Sequence, residues 1–183
     1  MRVLLLVVVT SVLNFFLQTS YAAYNRADWP HWLDEDHDCQ NTRAEVLISS
    51  SQTAVTFTNS KGCVVATGRW FDKYTEKVYF QASDLQIDHV VPLKHASDHG
   101  GEAWPRANKA VYANDRRNLL AVDGPTNMRK GAKGPDQWRP PRSYWCEYAK
   151  RWILIKDTYD LSYGANETVA LNEMLEACDE FIR

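Results

Sequence analysis

Apolar Val46, Leu47 and Ile48 follow Thr42-x-x-Glu45, which has the spacing of a capping box, and together they predict a helix over about 39–49. The period then changes to two. Alternating segments at 54–58, 63–67 and 77–81 predict short antiparallel strands, with Asn59-Ser60-Lys61-Gly62 as the turn between the first two. Residues 87–91 predict a further strand. Near the end of the chain the helical period returns. Trp145, Tyr148, Trp152 and Ile155 form a stripe over 142–157, and Leu171, Met174, Leu175 and Cys178 form another over 167–182. Stripes of this kind are core. Between them, Gly100-Gly101, Gly124-Pro125, Gly134-Pro135 and Pro140-Pro141 predict that Lys94 to Pro141 is largely loop around a strand at 119–122. Long ordered loops in small domains usually carry function. The pattern as a whole is α+β.

The N-terminus reads differently from the rest. Met1-Arg2 precedes an apolar stretch from Val3 to Leu17, followed by Ser20-Tyr21-Ala22-Ala23, the order of a secretory signal peptide cleaved after Ala22. Thr10, Ser11, Asn14 and Gln18 interrupt the stretch before it reaches bilayer-spanning length, so an anchor is disfavoured. The expected organisation is a leader over 1–22 and one domain over 23–183, secreted and without a membrane partner. Export favours two disulfides among Cys39, Cys63, Cys146 and Cys178. Three pairings are possible. Cys39 with Cys63 and Cys146 with Cys178 is preferred because it joins neighbouring segments and leaves the middle uncrossed. No Cys-x-x-Cys spacing supports a zinc site at these cysteines.

The 183 residues suit one core, and 12% aromatic content with 45% hydrophobic residues excludes a disordered chain. The net charge of −2 conceals an asymmetry. From Lys94 to Lys156 the thirteen Lys and Arg outnumber six Asp and Glu, the local excess that a polyphosphate substrate requires.

Within this centre lie Ile87-Asp88-His89-Val90-Val91-Pro92-Leu93, then Asn118-Leu119-Leu120, then Asn127-x-x-Lys130-Gly131-x-Lys133. Adjacent Asp88 and His89 point to opposite faces of an extended strand, an arrangement suited to one ligand and one base. A base for water must titrate near neutrality, which is the property of histidine. A hard divalent ion takes oxygen donors, here the Asp88 carboxylate and the Asn127 amide oxygen.

With Trp29-x-x-Trp32, Asp36-x-Asp38-Cys39-Gln40-Asn41-Thr42-Arg43-x-Glu45 and Trp138-x-Pro140-Pro141, this ordered set resembles an HNH nuclease of the ββα-metal type. More narrowly, it is similar to the GmrSD restriction endonuclease C-terminal domain family and its small secreted relatives. The resemblance implies a ββα-metal core embedded in a small antiparallel sheet with flanking helices. It also implies His89 as general base, Asn118 orienting that histidine, and Asp88 and Asn127 as ligands of one divalent ion, Mg²⁺ first and Mn²⁺ or Ca²⁺ as substitutes. Asn127 stands where some relatives have His, which disfavours a zinc-like site.

Lys130 and Lys133 are candidate phosphate contacts. The expected partner is nucleic acid, DNA ahead of RNA, cut with low sequence specificity. A secreted binding or effector protein that keeps the fold without turnover is the rival reading. A metallopeptidase is disfavoured by the absence of His-Glu-x-x-His. Asp34-x-Asp36-x-Asp38 lacks the glycine and distant glutamate of a calcium loop and reads as an entry segment in which Asp38 caps the helix. His95 and His99 fit no role and read as loop residues.

Overall fold

The computed structural model describes residues 23–180, so the leader read over 1–22 lies outside the described residues. The elements run α1 (Thr42–Ser50), β1 (Thr56–Phe57), β2 (Val65–Asp72), β3 (Lys77–Gln81), β4 (Leu85–His89), α2 (Leu93–Asp98), α3 (Arg106–Asn114), β5 (Leu119–Asp123), α4 (Gly124–Lys130), α5 (Trp145–Thr158) and α6 (Ala165–Glu180). Strands β1, β2 and β3 form one antiparallel sheet, and β4 pairs with β5 in a second. The fold is α+β, with helix α4 following the β4–β5 pair.

The two-stranded sheet separates two cores. Leu85 and Ile87 of β4, with Leu119 and Ala121 of β5, pack with Leu47 of α1 and Trp70 of β2. Trp70 closes this core by donating its indole N–H to the Leu47 carbonyl at 2.8 Å. The larger core gathers Trp29, Val90, Val91, Tyr112, Trp152 and Met174, and it contains the stripes expected of the last two helices. Because side chains alternate along a strand, Gln86 and Asp88 face away from the first core, toward α4.

Both preferred disulfides form. Cys39–Cys63 ties the segment before α1 to the turn before β2, and Cys146–Cys178 staples α5 to α6.

Two expectations change. The helix expected at 39–49 starts at Thr42, and its cap is Asn41, whose side chain accepts from the Ala44 N–H at 3.1 Å. Thr42 instead donates its hydroxyl to the Leu33 carbonyl and Asn114 Oδ1, and the Asp38 carboxylate accepts from the Gln40 N–H. The region Lys94 to Pro141 is less looped than its breakers implied. It holds α2, α3 and α4: Pro92 and Pro105 sit as the N-caps of α2 and α3, and Gly124-Pro125, read as a loop signal, opens α4.

Candidate active site

Among the described residues strand β4 pairs only with β5, and its consecutive residues Gln86 to His89 line a cleft of about 410 Å³. Arg26 and Lys94 also line it, and Asn127, Met128 and Gly131 come from the end of α4. The main chain turns there at Gly131, whose φ of 54° favours a residue without a Cβ.

His89 is 5% exposed, and its Nε2 lies 2.8 Å from the Ala113 carbonyl. A carbonyl only accepts, so Nε2 carries the hydrogen and Nδ1 keeps the lone pair. Burial pushes the imidazole down to about 3, opposed by the Ala113 bond and assisted by the nearby charges of Arg26 and Lys130. The ring is therefore neutral at physiological pH and free to accept a proton, but it titrates well below the near-neutral range expected of a base from the sequence. Trp32 stacks on it with centroids 5.8 Å apart and planes 22° apart.

Asn118 is fully buried but does not bond the imidazole. Its Oδ1 accepts from the Val91 N–H at 2.8 Å and its Nδ2 donates to the Val91 carbonyl at 3.1 Å. Its own carbonyl accepts from the Val90 N–H. The side chain thus clamps Val91 and the main-chain carbonyl holds Val90, so any effect on the ring passes through the main chain.

Lys130 requires a correction. It is fully buried, and its ammonium lies 3.0 Å from Asp88 Oδ1, 2.9 Å from Oδ2 and 2.9 Å from the His89 carbonyl. It cannot reach a phosphate in this arrangement. The period of α4 turns Lys130 inward, whereas exposed Lys133 donates to the Arg129 carbonyl at the helix end. The cations that line the cleft are Arg26 and Lys94, the latter paired with Asp98.

The Asp88 carboxylate also accepts from the Tyr74 hydroxyl at 2.7 Å. Burial raises the Asp88 carboxyl and lowers the Lys130 ammonium, and their pairing opposes both shifts. Asn127 donates its amide to Gln86 Oε1 at 2.9 Å. The divalent ion implied by the sequence needs Asp88 and Asn127 as a pair of oxygen donors. As arranged they do not fit one, because both oxygens of Asp88 are engaged by a buried ammonium that already balances its charge.

Sequence reasoning missed several contributors, Lys94 among them. The Ala113 carbonyl and the Tyr74 hydroxyl carry no sequence signal. Trp32 stood in the Trp29-x-x-Trp32 motif without a role, and Arg26 went unremarked. Arg43 donates to the carbonyls of Ala82 and Leu85, fixing the start of β4.

The family model described as GmrSD restriction endonucleases, C-terminal domain, matches residues 41–174. The chain belongs to this family. The GmrSD match contains Asp88, His89, Asn118, Asn127 and Lys130, while Trp32 and Arg26 precede it. A relative from Arthroderma benhamiae, described as an uncharacterized secreted protein, is 40% identical over 158 residues, covering 85% of this chain and 76% of that protein. No solved structure matches the chain.

Proposed function

We propose that the protein is a secreted endonuclease that hydrolyses phosphodiester bonds of DNA, with little sequence preference. The observation that carries this reading is the neutral His89 in a cleft flanked by Arg26 and Lys94, its tautomer set by the Ala113 carbonyl. His89 Nδ1 takes a proton from water as the water oxygen bonds to phosphorus. The opposite ester bond breaks, and solvent protonates the departing oxygen. Arg26 and Lys94 offset the negative charge on the phosphate. Trp32 stacks on the imidazole, and Asn118 holds the main chain that follows it. No step is assigned to a divalent ion, because Asp88 is occupied by Lys130.

Cationic side chains directed at phosphate carry no sequence information, which supports low specificity. Secretion is supported by the two disulfides and by the description of the fungal relative. The test incubates the purified protein with plasmid DNA and with single-stranded RNA, in Mg²⁺, Mn²⁺ or Ca²⁺ and in chelator. Loss of supercoiled plasmid supports the reading. Intact DNA in every arm overturns it in favour of a binding protein that keeps the fold, and cleavage of RNA alone reassigns the substrate.

A further inference from the structure

The sequence holds one Asn-x-Ser/Thr triplet, Asn166-Glu167-Thr168, the acceptor pattern for an N-linked glycan in a secreted protein. It falls in the first turn of α6. The triplet alone is a weak signal, and its place in the fold strengthens it. Glu167 is buried, and its carboxylate accepts from Lys156, Trp152 and the Gly164 N–H. With Glu167 facing inward, the helix turns its neighbours Asn166 and Thr168 outward, and both are exposed. The Asn166 amide has no hydrogen-bond partner among the described residues. Asn166 lines a second cleft, of about 370 Å³, together with Asp98, His99, Asp136 and Gln137. Carboxylates and an amide in such a lining can bond the hydroxyl groups of a sugar.

We propose that Asn166 carries an N-linked oligosaccharide whose first sugars lie along this second cleft. The proposal rests on secretion and is independent of nuclease activity. The two disulfides and the fungal relative described as secreted support that route. The donor is an oligosaccharide joined through pyrophosphate to a lipid. Asn166 Nδ2 bonds to C1 of the first sugar as the bond from C1 to the pyrophosphate oxygen breaks. The lipid pyrophosphate leaves with that electron pair, and the amide proton passes to a base of the transferase. The transferase also reads the Thr168 hydroxyl, which in the folded helix donates to the Gly164 carbonyl at 3.0 Å. Transfer therefore precedes closure of the first turn of α6. The attached glycan is bulky and polar and needs an open surface. The two clefts meet at Ala132, which lines both, but Arg26 and Lys94 line only the cleft of His89. A glycan along the second cleft leaves those cations free for phosphate.

Expression of the full chain in a eukaryotic secretory host, with peptide mass mapping of the protein recovered from the medium, tests this. The expected result is an oligosaccharide on the peptide that holds Asn166, and an aspartate at that position once peptide N-glycosidase removes it. Asn166→Gln and Thr168→Ala should each lose the glycan, and Thr168→Ser should keep it. Asn166→Gln breaks no bond of the described fold, so its circular dichroism should match the wild type. Its half-buried His99, which lines the cleft, should react faster with diethylpyrocarbonate than His99 of the glycosylated protein. Unmodified Asn166 in the secreted wild type would overturn the proposal, as would a glycan retained in Thr168→Ala. An equal rate at His99 would overturn the placement of the sugars along the cleft. Retention of the chain inside the cell would overturn secretion and this proposal together, whereas failure of the nuclease reading shows separately, as intact plasmid.

Discussion

The imidazole of His89 and the carbonyl of Ala113 stand 2.8 Å apart across 24 residues of sequence. Ala113 lies in the last turn of α3, where the final carbonyls of a helix have no partner within it. The helix end satisfies one of these groups with the histidine, and in doing so selects the tautomer that leaves Nδ1 available. A loop carbonyl would fix the same hydrogen less rigidly.

Burial of His89 as a neutral ring predicts a pH dependence of stability. Its folded value near 3 lies below the ordinary 6.5, so the unfolded chain binds the extra proton between these values. The stability contributed by neutral His89 is present above about pH 6.5 and is lost as the pH falls toward 3. Urea denaturation of wild type and His89→Gln at pH 7.5 and 4.5 measures this. The wild type should lose more stability than the variant, by on the order of 2 kcal/mol. Equal losses would mean that the ring is not buried in its neutral form.

Lys130 is assigned here to holding Asp88, so its loss should destabilise the fold. Lys130→Met leaves a buried carboxylate with only Tyr74, at a cost of about 3–5 kcal/mol. Lys133→Ala, at an exposed position, should change stability by less than about 0.5 kcal/mol. Chemical denaturation compares them. A stable Lys130→Met protein with weakened DNA binding would restore the phosphate role read from the sequence.

Arg26 and Lys94 are the cations that line the cleft, and each should contribute one phosphate contact. Substituting either with Ala should weaken binding to unrelated DNA sequences alike and reduce the slope of log affinity against log salt by about 1. Fluorescence anisotropy across about 50–200 mM salt measures the slope. An unchanged slope would move the substrate elsewhere.

The disulfides close segments with sequence separations of 24 and 32 residues. Replacing either pair with serine should cost about 3–4 kcal/mol in the chain-entropy model. Thiol titration of the unreduced, denatured protein should find none free, and two or more free thiols would refute the pairing.

Elements with a clean period were legible in the sequence. Strand β3 falls at 77–81 as its alternation predicts, and the two closing helices carry the expected stripes in the larger core. Helices α2 and α3 were not legible, since α2 spans only six residues and the glycines and prolines around both look the same whether they start helices or end loops. At the site, the ordered Asp-His and Asn positions pointed to a segment that the structure places along a cleft. The inward turn of Lys130 depended on the packing of α4 against β4, and the partner of His89 is a main-chain atom that no side-chain pattern encodes.

The proposed base is tested most directly by the rate of plasmid cleavage in His89→Gln, with DNA affinity and circular dichroism measured on the same preparation. Glutamine can still donate an amide hydrogen to the Ala113 carbonyl but has no group to accept a proton from water. The account predicts a rate lower by about 10²–10⁴ with fold and affinity retained. A variant that cuts at the wild-type rate would contradict it.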